Sequence, residues 1–260
     1  MTSLGCAVNV YQDNYALPGL LENASRFFDD IFIIHAGPAG KKSTDGTIET
    51  IEKWGIKHVF DDMAHGFGVI RTRLIHGSST EWVMILDADE RFNPVCPVIS
   101  CEGSEQYPDV PMPNLTTTIH EPIFDQGSLL KEKINAGGFD AIRTLRRHWF
   151  DFSWKRPCQN FQTGLDWQLR IVRNLPHIGF APGRKMHELL TNLSTGGGVH
   201  VFGNDDTTKT FFHDHYHCWF KPMESGNNAE DMQTYRLLDE NATEEMWLNA
   251  ATGVDTGLSR

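Results

Sequence analysis

The run Trp82-Val83-Met84-Ile85-Leu86 breaks off into Asp87-Ala88-Asp89-Glu90, an apolar stretch that ends abruptly in carboxylates. Consecutive apolar residues suit a strand buried on both faces, and in open α/β sheets ligands gather beyond the carboxyl ends of such strands. Asp87 and Asp89 are hard oxygen donors one residue apart. Such a pair can share a divalent cation, Mg2+ or Mn2+, which keeps several waters and binds substrate phosphates. A solvated acidic turn is the competing reading of an isolated Asp-x-Asp, and the strand in front of this one favours the cation.

Two further groups of residues have chemical potential. His213, His215 and His217 alternate along Phe211 to Phe220. In a strand all three fall on one face, where imidazoles can bind a metal by themselves or serve the Asp87/Asp89 cation. The central one, His215, is taken as the candidate ligand. The segment from Phe139 to Trp154 combines Arg143, Arg146 and Arg147 with Trp149, Phe150, Phe152 and Trp154. Aromatic faces offer apolar area to the C–H side of a pyranose and Arg supplies hydroxyl or phosphate contacts; ordinary core packing is the alternative for at least half of these rings.

The elements that would position these residues alternate in type. Residues 5 to 11 read as a first strand, and from Pro18 the spacing of Leu20, Leu21, Ala24, Phe27 and Phe28 is that of an apolar helix face. Ile31 to Ile34 is a second buried strand. Ser43-Thr44-Asp45-Gly46-Thr47 supplies cap-type residues, and Ile48, Ile51 and Trp54 form the next helix face. Asp45 therefore has two readings, as a helix cap or as a ligand contact. Lys57 to Phe60 is a third strand, residues 67 to 77 a helix, and the Trp82 strand a fourth, so the order predicts a parallel sheet. From Cys96 to Thr118 the prolines Pro97, Pro108, Pro111 and Pro113 predict a long surface loop. Trp167 to Arg173 alternates like a half-buried strand, and the acidic tail from Glu224 to about Leu248 reads as helical.

Taken in order, these blocks resemble family-2 glycosyltransferases of the GT-A fold, particularly the sugar transferases of the lipopolysaccharide-core type. The blocks are Asp13-Asn14 after the first strand, Phe28 to Ile34, Ser43-Thr44-Asp45-Gly46-Thr47, Arg71, Leu86 to Arg91, Arg146-Arg147, Asp166 to Arg170, and His187-Glu188. The family usually closes its second strand with Asp, where this chain has His35, and Thr72 stands where Asn is common after Arg71.

The resemblance implies an α/β domain with a Rossmann-like, mostly parallel central sheet flanked by helices and a smaller acceptor-side region. The expected division is residues 1–95 for the nucleotide sugar, 96–222 for the acceptor and a helical tail over 223–260. It implies a metal-dependent transfer from a nucleotide sugar, UDP- or GDP-linked with UDP preferred, to a hydroxyl of a saccharide acceptor. Tyr11, Asp13, His35, Asp45, Arg71 and Asp87 would contact the donor. Asp87 and Asp89 would serve Mn2+ or Mg2+, and the candidate imidazole ligands are His187, because imidazole accepts metals such as Mn2+, and His215 of the alternating trio. Inversion at the anomeric carbon needs a base for the acceptor hydroxyl, for which Glu188 and Asp166 are the candidates, Glu188 preferred because it adjoins His187. Rival readings are a nucleotidyltransferase, which lacks its Gly-rich basic loop in Val10-Tyr11-Gln12-Asp13-Asn14, a non-catalytic sugar-binding module, and a hydrolase built on the three histidines.

Composition narrows the partners. A net charge of −11 argues against an extended nucleic-acid surface, which needs clustered Lys and Arg. No run is long and apolar enough for a membrane span, and the first residues lack a basic start followed by an apolar core. The expected location is therefore cytoplasmic, free or peripheral to a membrane. The 5 cysteines show no zinc-type pairing and suit reduced thiols.

Overall fold

The computed structural model describes residues 2–102, 116–148, 167–181, 189–202 and 211–216. The chain forms two compact units: Met1–Cys96, Asp125–Leu145 and Trp167–His213 build the first, while Pro97–Phe124, Arg146–Asp166 and Asp214–Arg260 build the second. The first crossing between units thus falls at residue 96, and residues 125–145 and 167–213 return to the first unit. Among the described residues no helix is long and apolar enough to cross a membrane.

The first unit begins with the expected alternation. Strand β1 (Leu4–Val10) leads to helix α1 (Leu17–Ser25), strand β2 (Asp30–Gly37), helix α2 (Thr47–Trp54), strand β3 (Lys57–Asp62), helix α3 (Phe67–Gly77) and strand β4 (Trp82–Asp87). In α1, Leu17, Leu20, Leu21 and Ala24 are buried at the three- and four-residue spacing that makes one helix face. Each large aliphatic side chain so buried contributes roughly 1.5–3 kcal/mol. Helix α2 ends at Gly55 in the left-handed conformation, φ 65°, where its N–H returns to the carbonyl of Glu52. Trp54 corrects one expectation: of the face assigned to Ile48, Ile51 and Trp54, Ile51 is fully buried but Trp54 is 39% exposed. Helix α2 has only eight residues and packs against α1.

Three strands and a helix follow: β5 (Glu90–Arg91), β6 (Val95–Glu102), β7 (Thr116–Asp125) and α4 (Gln126–Ala136). The loop expected over Cys96 to Thr118 is corrected here, since β6 and β7 pair in a two-stranded sheet flanking residues 103–115, which lie outside the described set. A two-stranded sheet consists of edges, and an edge tolerates a proline such as Pro97 that a central strand would not. Helix α4 was not foreseen. Its signals were the cap, with Asp125 accepting from the Ser128 N–H at 2.9 Å, and buried Leu130 and Ile134 four residues apart.

The remaining strands are β8 (Ala141–His148), β9 (Trp167–Arg173), β10 (Ile178–Phe180), β11 (Leu190–Asn192), β12 (Val201–Phe202) and β13 (Phe212–His215). The large sheet runs β3-β2-β1-β4-β9-β8-β13-β5, with β12 beside β8; β10 and β11 form a separate antiparallel pair. Strands β3, β2, β1 and β4 are mutually parallel, whereas β9 runs antiparallel to both β4 and β8. The architecture is mixed α/β with a parallel half flanked by helices, as the alternation predicts. Its core sets Ile34, Val83, Ile85 and Val172 of the sheet against Ile70, Leu74 and Ile75 of α3.

The strand order has a consequence for ligands. The chain steps outward from β1 to β2 to β3, then returns through α3 to place β4 on the other side of β1. The reversal makes the gap beyond the carboxyl ends of β1 and β4 a topological switch point, where open α/β sheets bind their ligands.

Candidate functional site

Asn9 on β1 is the registered neighbour of Asp87 on β4, so the two residues share a face at that switch point. The Oδ1 atom of Asn9 is buried and accepts no hydrogen bond. Asp87 keeps 40% of its side chain exposed, while Asp89 and Glu90 are buried. The Glu90 carboxylate accepts from the Asp87 N–H at 3.0 Å, which fixes the first residue of the turn.

Guanidinium groups converge on Asp87 and Glu90. Arg170 of β9 donates from Nη2 to Asp87 Oδ2 at 3.0 Å and also to Glu90 Oε1. Arg71 of α3 brings Nη2 to 3.9 Å from Asp87 Oδ1. His213 of β13 shares its Nδ1 with the Thr144 hydroxyl at 2.8 Å and sets Nε2 3.4 Å from Glu90 Oε1. Sequence reasoning singled out Asp87 and Arg71, and His213 as one of three histidines able to serve the Asp87/Asp89 cation, but it named Glu90 and Arg170 without pairing them with each other or with Asp87. The available signal was an Arg on a strand that alternates apolar and polar residues, since a buried guanidinium needs a carboxylate.

On the other side of Asp87 the loops after β1 and β2 interlock. Gln12 adopts φ 56°, a left-handed conformation uncommon for a residue with a side chain. It is held there by its N–H donating to Ser43 Oγ at 2.9 Å, and by a reciprocal pair with Thr44: Gln12 Nε2 to Thr44 Oγ1 at 3.2 Å, Thr44 N–H to Gln12 Oε1 at 3.1 Å. Backbone strain maintained by surrounding bonds is a feature of functional loops. The Asp13 N–H donates to Thr47 Oγ1 at 2.9 Å, and the Asn14 N–H to Asp45 Oδ2 at 2.9 Å. Gly46, at φ 93°, is required where it stands, because a Cβ there would lie 2.9 Å from the Asn14 amide.

Asp45 resolves toward a structural bond without losing its availability. Its Oδ1 accepts from the N–H and hydroxyl of Thr47 at 3.1 and 2.6 Å, at the first turn of α2, and the residue is exposed. His35 is buried. Its Nε2 lies 2.7 Å from Ser43 Oγ and accepts from the Ser43 N–H at 3.1 Å, with Tyr11 and Phe60 rings 5.9 and 5.2 Å away. Burial holds its pKa below the usual imidazole value. In this position His35 anchors the Ser43–Thr47 loop. Thr72, where the family's Asn is common, donates to the Gly68 carbonyl and accepts from the Phe180 N–H, both at 2.8 Å.

The Tyr15 hydroxyl donates to Asp13 Oδ1 at 3.2 Å. Burial pushes its pKa up, and the negative charges of Asp13, Asp89 and Asp45 push it further. Three carboxylates therefore act on one phenol. Among the described residues no three His, Cys, Asp or Glu groups converge with the spacing of a complete metal cage. The carboxylates of Asp87 and Asp89, with the orphaned Asn9 oxygen in register with Asp87, are hard donors that fit Mg2+ or Mn2+, because such cations are commonly held by few protein ligands together with substrate phosphates.

His215 lies buried in the second unit, where Arg147 and Asp214 form a two-point ion pair at 2.7 and 3.0 Å with each side chain 1% exposed. Arg147 is thus a buried structural cation instead of the sugar or phosphate contact expected of its segment. Asp166, His187, Glu188 and His217 lie outside the described residues, as do Trp149 to Trp154 and the tail from Glu224.

No family model matches the sequence, and no curated protein matches it. Among solved structures the chain is similar to S. aureus TarS, at 11% identity and a TM-score of 0.46 over 96% of this chain and 43% of that one. It is also similar to TarS 1–349 in complex with UDP-GlcNAc, at 13% identity and a TM-score of 0.44 over 96% of this chain and 71% of the other. The chain thus spans less than half of the longer TarS chain.

Proposed function

We propose that this chain is a GT-A-type glycosyltransferase that moves a sugar from a nucleotide-sugar donor to a hydroxyl acceptor with the help of Mn2+ or Mg2+. The observation that carries this reading is the place of the Asp87-Ala88-Asp89 turn: it leaves β4 at the β1/β4 switch point, beside the interlocked loops after β1 and β2. A ligand with a base, a ribose and a diphosphate suits such a crevice.

In this reading Asp89 holds the cation, with Asp87 directly or through water. The cation, when bound, acts as a Lewis acid that stabilises charge on the departing diphosphate. Arg71 contributes positive charge at the same edge, and Tyr11, Asp13, Asp45 and the His35-anchored loop form the donor side. Glu188 or Asp166 takes the proton of the acceptor hydroxyl, giving inversion, a role that rests on the family resemblance; His187 and His215 are the candidate imidazole ligands read from the sequence. The donor is UDP- or GDP-linked, UDP preferred. The acceptor is a glycan or lipid-linked saccharide, as in the lipopolysaccharide-core-type transferases that the sequence blocks resemble, and the expected location is cytoplasmic.

The test is incubation with a panel of UDP- and GDP-sugars, with and without Mn2+, followed by detection of released nucleoside diphosphate. Cation-stimulated release that is lost in Asp89→Ala supports the reading. Absence of donor turnover together with unchanged nucleotide binding in Asp89→Ala sinks it.

A further inference from the structure

Arg91 is buried, yet its guanidinium grips backbone at both ends of a gap. Nη1 donates to the carbonyls of Ala88 and Glu90 at 2.8 and 2.7 Å, and Nη2 donates to the carbonyl of Ala16 at 2.9 Å. The Ala88 carbonyl belongs to the peptide plane that carries Asp89. Holding that plane and the Glu90 carbonyl beyond it restricts the backbone rotations at Asp89 that direct its side chain. Ala16 caps α1 and ends the loop that carries Asp13 and Tyr15. One planar, rigid fork of donors therefore spans the two acidic loops, a geometry that a compact ammonium reproduces poorly.

Helix α1 leaves room for this fork. A Cβ on Gly19 would lie 2.9 Å from Arg91 Nη2, so glycine at that helical position keeps the guanidinium in place. The exit of the turn is tied to the same helix separately, through Asn23, which accepts from the Phe92 N–H at 3.1 Å and donates to Asn93 at 3.1 Å. The main-chain course thus has its own support, and the Arg91 fork adds the spacing between Asp89 and the Asp13–Tyr15 loop.

We propose that Arg91 is a positioning residue that sets the cation affinity of the Asp89 side of the site, with Gly19 as its required neighbour. This inference rests on the cation-assisted reading above. It predicts a loss of cation-supported binding larger than the loss of stability, because the better helix propensity of Ala offsets part of the cost of moving the Arg91 side-chain end off Ala16.

The test uses the full chain, with UDP and GDP as probes, and measures nucleotide affinity by calorimetry with and without Mn2+ alongside thermal unfolding. In Gly19→Ala the unfolding midpoint is expected to fall by no more than a few degrees, with the chain fully folded at the assay temperature, while Mn2+-supported affinity falls about 10–100-fold, the usual effect of disturbing groups that orient a ligand. Mn2+-independent affinity is expected to stay unchanged. Arg91→Lys is expected to lose cation-supported affinity in the same sense, which covers the case in which one variant does not fold. Folded variants that bind nucleotide with Mn2+ as well as the unaltered chain does overturn the proposal and leave the functional reading standing; so does an equal loss with and without Mn2+. If the unaltered chain shows no Mn2+ effect with either nucleotide, the functional reading fails first and the role of Arg91 falls with it.

Discussion

Asp87 and Glu90 meet guanidinium and imidazole groups from α3, β9 and β13, whereas Asp89 shares the surroundings of Tyr15 with Asp13 and Asp45. The two sides of one short turn place negative charge in different surroundings. On the Asp87 side the fold supplies its own cations, which lets Glu90 be wholly buried. On the Asp89 side, Asp13, Asp89 and Asp45 all raise the pKa of Tyr15, and the Arg91 guanidinium holds the backbone of Ala88 and Ala16. The difference separates a scaffold from a binding place, although the carboxylates are neighbours in sequence.

Substitutions can break that contrast. The largest effect is expected from Asp89→Asn, which keeps the side-chain shape and removes the charge: kcat falls about 10²–10³-fold, the scale for removing one group that stabilises transition-state charge. Steady-state kinetics over a range of Mn2+ concentrations checks it, and activity within a few-fold of the unaltered chain would place the cation elsewhere. Arg170→Met acts on the scaffold side instead. Removing the guanidinium from buried Glu90 costs about 3–5 kcal/mol of stability, read as a lower urea midpoint, and the double change with Glu90→Gln recovers part of the loss.

A smaller effect separates the β2 end of the site from both. His35 has a folded-state pKa below its ordinary value of 6.5, so the unfolded chain binds more protons near that pH. The contribution is neutral well above pH 6.5, and stability declines as the pH falls through that value toward the lowered folded pKa. Nearby His58 and Lys42 add to the lowering and Asp45 opposes it. Urea denaturation at pH 8 and pH 5.5 should show a shallower pH dependence in His35→Gln than in the unaltered chain; equal slopes would remove His35 from the account. The smallest expected change is Tyr15→Phe, which deletes one hydroxyl donor to Asp13 and costs about 1 kcal/mol or less.

The parallel half was legible because its signals are local. Buried strands such as Ile31 to Ile34 are continuous apolar runs, α1 and α3 have helical spacing, and Gly55 ends α2 with a conformation that glycine adopts readily. The segment around β6 and β7 was misread because prolines signal loops in general, and whether a strand is an edge is a property of its sheet. Within the site, Asp87, Asp89 and Asp13 were legible as residue types at the ends of strands. The partners of Asp87 were not, since Arg170 is 83 residues away in sequence.

Sequence by itself determined where strands end in carboxylates and where loops are rich in capping residues, because hydrophobic period and turn chemistry act over a few residues. Tertiary structure decided which charges are answered. The antiparallel register of β9 against β4 sets Ile171 opposite Met84, so Arg170 lies one residue nearer the carboxyl end of β4 and its side chain reaches Asp87 and Glu90. The same packing folds Arg91 back onto Ala16 and sets the two acidic loops at a fixed spacing. Pairings of this kind depend on strand order and register, which no local pattern contains.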